Sequence, residues 1–115
     1  MIIIGAGLAG GLSSGAYLAK AGAKVRTGPA AFGPVTGAAN WEPLLRARAI
    51  ETGCYVLAPA QTGLHPSSTG GTGRTYGHSM AISPWGEVLA DAGTDPGITI
   101  VDLAMGDVAQ ARARV

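Results

Sequence analysis

The chain has 115 residues and a net charge of +1, with 47% hydrophobic and 13% charged residues. That is one globular domain, residues 1–115, with too few cations for a nucleic-acid face and no apolar run near the roughly 20 residues of a membrane span. One cysteine excludes an internal disulfide and a cysteine zinc site. So little charge beside so much apolar material points to a patch covered by another chain, and a homo-oligomer is expected. The start, MIIIGAGLAGGLSS, lacks the positive n-region of a signal peptide, so a cytoplasmic location is expected.

Ile2 to Ile4 is a strand of pure aliphatics, and Gly5-Ala6-Gly7-Leu8-Ala9-Gly10 follows it directly. A small-residue helix then runs to Lys20, with Leu12, Gly15, Ala16 and Ala19 as its inward face, and Gly22 ends it. Ala23 to Thr27 is a second strand. This is β–Gly loop–α–β, in which free N–H groups at the helix start can hold a pyrophosphate. Residues 1–25 resemble the fingerprint of FAD-dependent amine oxidases and phytoene-desaturase-like enzymes. The resemblance implies a Rossmann-like unit with Gly5, Gly7 and Gly10 as cofactor-binding residues for FAD or NAD. The sequence departs from it at Gly10-Gly11, one glycine too many, and at KVRTGPA, where the acidic residue that holds the ribose is absent.

Gly28 to Ala39 reads as a loop. Asn40 is then a good N-cap, Pro43 fits the first turn, and Glu42 sits at the positive end of the dipole. Trp41, Leu44, Leu45, Ala49 and Thr52 form one stripe at helical spacing, with Arg48 inside it and Glu51 as its nearest counter-charge. Gly53 supplies the left-handed stop. Cys54 to Ala60, CYVLAPA, is a short continuous apolar run, the pattern of a strand covered on both faces.

Thr62 to Gly77 reads as a long Gly/Ser/Thr-rich loop carrying His65, Arg74 and Tyr76. Two histidines, His65 and His78, with no carboxylate near them in sequence, do not make a metal site. His78–Ser83 and Glu87–Ala92 flank Pro84-Trp85-Gly86 as a hairpin. Asp95-Pro96-Gly97 is a further turn, Ile98 to Leu103 a strand with one wet face, and Asp107 to Val115 a closing helix.

From Pro29 to the end the chain resembles the C-terminal part of the nitrilase, or carbon–nitrogen hydrolase, superfamily. The matching stretches are PAAF at 29–32, TG at 36–37, WEPLLRARAIE at 41–51 and CYVLAPAQTG at 54–63, followed by YGHSM at 76–80, PWGEVLA at 84–90 and GITIVDL at 97–103. The resemblance implies an α/β fold, a partial α-β-β-α sandwich, in which residues 29–115 form the family's C-terminal half and residues 1–28 the β-α-β segment. Family subunits pair through helices into larger assemblies. The family cleaves nitriles or amides with a cysteine nucleophile, a glutamate base and a lysine that steadies the tetrahedral intermediate. By this resemblance the nucleophile's place falls at Gly5 or Ala6, and the glutamate and lysine fall before Met1. Cys54, Glu42 and Glu51 match scaffold positions, so no catalytic residue is carried over.

Three readings follow. The first is a hydrolase fragment, or a chimera joined near Gly28, inactive alone, whose parent hydrolyses nitrile or amide C–N bonds. The second is a nucleotide-binding module of an oxidoreductase, and the third a non-catalytic engineered or assembly protein.

Overall fold

The computed structural model describes residues 22–66 and 70–114, together with the backbone of Ile2–Ile4. Five strands form the main sheet: β1 (Ile2–Ile4), β2 (Val25–Thr27), β3 (Tyr55–Ala58), β6 (Met80–Ile82) and β7 (Val88–Asp91), in that spatial order. β1, β2 and β3 are parallel, while β6 and β7 each run antiparallel to their neighbour. A separate two-stranded sheet joins β4 (Thr62–Pro66) to β5 (Thr72–Tyr76). Helix α1 (Pro34–Thr52) connects β2 to β3, and α2 (Gly106–Ala113) closes the chain.

The expected stripe on α1 is the buried one. Trp41, Leu45 and Ala49 pack on Val56 and Ala58 of β3 and on Met80 and Ile82 of β6. Because strand residues alternate, Tyr55 points from β3 to the other face. There its hydroxyl donates to Asp107 Oδ2 at 2.7 Å and accepts from the Ala104 N–H at 3.1 Å, which pins the start of α2. β3 is thus paired on both edges and covered on both faces, as its unbroken apolar sequence requires. Gly53 takes φ 59 and its N–H bonds to Ala49 O, the left-handed stop expected there. Gly86, at φ +93, closes the β6–β7 hairpin beside Ile50, and Arg46 Nε donates to its carbonyl at 2.8 Å.

Four expectations change. Helix α1 starts at Pro34, with Gly33 as N-cap, so residues 34–39 are helix, Asn40 is an exposed interior residue and Pro43 lies well inside the helix. Gly33-Pro34 is itself a helix start, since proline at the first position surrenders an N–H that has no partner anyway. The loop expected over Thr62–Gly77 is the β4–β5 hairpin, its alternation hidden by glycine and threonine. The turn expected at Asp95-Pro96-Gly97 falls at Gly93-Thr94, where Gly93 has φ +68 and accepts from the His78 N–H at 2.8 Å. Ile98–Leu103 forms no strand: among the described residues it has no ladder partner, and Ile98 and Ile100 are 92% and 87% exposed.

The strands of the expected N-terminal unit, β1 and β2, do pair in parallel. Its glycine loop and helix, with Gly5, Gly7 and Gly10, lie outside the described residues.

Candidate functional site

A cavity of about 470 Å³ opens between β2, the loop 28–33 and α1. It lies on the α1 face and reaches the carboxyl end of β2, the edge at which parallel α/β sheets bind ligands. Phe32 and Trp41 form its aromatic wall, with ring centroids 5.2 Å apart and tilted by 53°. The Trp41 indole is fixed by donating to the His78 carbonyl at 2.7 Å. Leu44 and Leu45 extend the apolar surface along the helix.

Two guanidinium groups also line this cavity, Arg26 from β2 and Arg48 from α1. Arg26 is paired in register with Val56, which faces α1, so Arg26 projects to the same side. Arg48 donates to Glu51 Oε2 at 2.6 Å, the partner expected from the sequence. Burial, and next the positive charge of Arg48, hold the Arg26 guanidinium below its ordinary value, with Glu51 and Cys54 acting in the opposite sense. Arg26 escaped notice in the sequence. The available signal was a cation in the middle of a strand whose neighbours Val25 and Val56 are apolar.

Cys54 does not reach the cavity. It is 1% exposed, its thiol donates to Ala23 O at 3.3 Å, and Arg112 Nη2 approaches its sulfur at 3.3 Å. The same guanidinium donates to Ala23 O at 2.6 Å. The cysteine thus helps fasten α2 to the end of β3. Glu42 lies 3.8 Å from Arg46 on the exposed side of α1, and Glu51 serves Arg48. Neither glutamate is held as a general base would be.

The polar residues of the 62–78 stretch split up. His65 Nε2 meets Thr75 Oγ1 across the β4–β5 hairpin at 2.8 Å, and Arg74 is exposed on β5. Tyr76 stacks on His78 at 4.3 Å, and its N–H donates to Phe32 O at 2.8 Å, tying the hairpin to the cavity wall. A carboxylate is near His78 after all, because the β6–β7 pairing brings Asp91 within 2.9 Å of Nδ1. Among the described residues no cluster of three histidine, cysteine or acidic side chains could hold a metal.

Comparison with known proteins agrees with this architecture. A family profile described as carbon-nitrogen hydrolase matches residues 13–113. The match takes in much of the stretch that resembles a dinucleotide fingerprint, and it runs across Gly28, where a junction was expected. The chain is 48% identical over 99 residues to a deaminated glutathione amidase of Synechocystis sp., covering 86% of this chain and 35% of that protein. It is 50% identical over 95 residues to the Rattus norvegicus protein of the same name, covering 83% of this chain and 28% of that one. It therefore spans about a third of the length of these relatives. Among solved structures, the C. elegans NitFhit protein is 40% identical with a TM-score of 0.73, over 87% of this chain and 23% of its own. Saccharomyces cerevisiae Nit3, of the nitrilase superfamily, is 27% identical with a TM-score of 0.81, over 97% of this chain and 41% of its own. The chain belongs to the carbon–nitrogen hydrolase family.

Proposed function

We propose that the chain is part of an amide hydrolase that cleaves the C–N bond of a small amide of the deaminated glutathione type, and that it supplies a wall of the binding cavity rather than the nucleophile. The observation that carries the reading is the 48% identity to a deaminated glutathione amidase over 86% of the chain. The cavity supports it, because an aromatic wall with a few polar groups suits a small organic ligand. A nucleophilic thiol must meet substrate in an exposed, activated setting, and the single cysteine here is buried between a carbonyl and a guanidinium.

Equilibrium dialysis of deaminated glutathione against the full chain tests the ligand: saturable binding is expected, and its absence removes the substrate assignment. Hydrolysis of the same compound by the full chain and by Cys54→Ala tests the role of the thiol. Equal, background-level rates are expected, and any turnover that depends on Cys54 contradicts the assignment.

A further inference from the structure

We infer that the cavity between β2 and α1 is a binding site for a small organic carboxylate, held by the Arg26 and Arg48 guanidinium groups with its carbon skeleton against Phe32 and Trp41. The inference starts from charge. Of the residues lining the cavity, two are cationic and none is acidic. Masked detail elsewhere cannot reverse this balance, because the chain has seven carboxylates and residues 1–21 contain none of them. Glu51 is the acidic residue that comes nearest to the arrangement, and it is engaged with Arg48 at 2.6 Å. Two guanidinium groups against one carboxylate leave a net positive cavity.

Placement adds to the argument. Arg26 comes from the sheet and Arg48 from the helix, so the two forks approach one space from different layers. Bringing like charges together beside an apolar wall is unfavourable, and the lowered Arg26 value reflects that. An entering carboxylate relieves the repulsion and accepts charge-assisted hydrogen bonds from planar donors that match its shape. Thr27 and Thr36, also in the lining, offer hydroxyls to a second polar group. A neutral amide of equal size would gain the aromatic contact but not the electrostatic one. The inference rests on the amide-hydrolase reading only in calling the ligand a substrate; binding stands apart from turnover.

The test uses the full chain carrying Trp85→Phe, which leaves Trp41 as the reporter, titrated with glutarate and separately with the neutral glutaric diamide. Saturable change of Trp41 emission by glutarate is expected, with the diamide about tenfold weaker or worse. Arg26→Met should weaken glutarate about tenfold, and Arg48→Met should do the same if either variant proves poorly folded by circular dichroism. Glu51→Gln frees Arg48 and should tighten glutarate about threefold. No saturable change, equal response to acid and diamide, or unchanged affinity in the folded arginine variants would overturn the inference. If deaminated glutathione binds while glutarate does not, the arginine site fails and the amide reading stands.

Discussion

The sulfur of Cys54 donates to one carbonyl, receives a guanidinium and is 1% exposed, so its contribution goes into the β3–α2 join. Gly37 shows the same economy of space. A Cβ there would fall within van der Waals distance of Cβ and Cγ of Tyr76, so the helix runs directly under the β5 strand. Gly37→Ala should therefore destabilise the chain by about 2 kcal/mol in urea, despite alanine's helix preference. In a Tyr76→Ala background the same change should stabilise by up to about 1 kcal/mol, which separates the clash from the propensity. Tyr55 makes a third case. Burial, then the hydrogen bond to Asp107, raise the pKa of its phenol above the ordinary 10.0. A raised value means the native state holds the proton longer than the unfolded chain does. Its stabilisation is thus complete below pH 10 and is lost as pH rises through the folded value. Urea midpoints should fall above pH 10, and Tyr55→Phe should flatten that alkaline loss.

At the level of elements, β3 and the core stripe of α1 were legible because burial on both faces writes a continuous apolar run and helical packing writes a repeating stripe. The start of α1 was not, because residues 34–40 carry little apolar signal and two prolines competed for the first turn. The β4–β5 hairpin was lost for a related reason: a ladder of glycine, threonine and histidine has no apolar face to announce it. Ile98–Leu103 fails the other way. Its alternation suits a strand, yet it has no pairing partner among the described residues. Hydrogen exchange should find the amides of residues 98–103 unprotected and those of Tyr55–Ala58 among the slowest, and protection of 98–103 would show that another chain completes the ladder. Of the candidate site, the aromatic wall could be inferred from the sequence only as core. Arg26 and Arg48 meet through the β2–α1 packing, which no local spacing encodes.

For the whole molecule, the exposed apolar residues matter together. Val35, Leu64, Ile98 and Ile100 are each more than half exposed, an arrangement expected to bury itself against another copy. Light scattering should report a dimer or larger species, and Ile98→Lys with Ile100→Lys should shift it towards monomer; a monomer at all concentrations would contradict this. The membership of the family and the sheet order are independent of that outcome.

The central claim is that the chain carries the family's scaffold and a ligand cavity while its one thiol stays out of the chemistry. Alkylation of the full native chain by iodoacetamide, followed by peptide mass mapping, tests it most directly. The account predicts an unmodified Cys54 under native conditions and complete modification once urea unfolds the chain. Native modification as fast as in urea would contradict it.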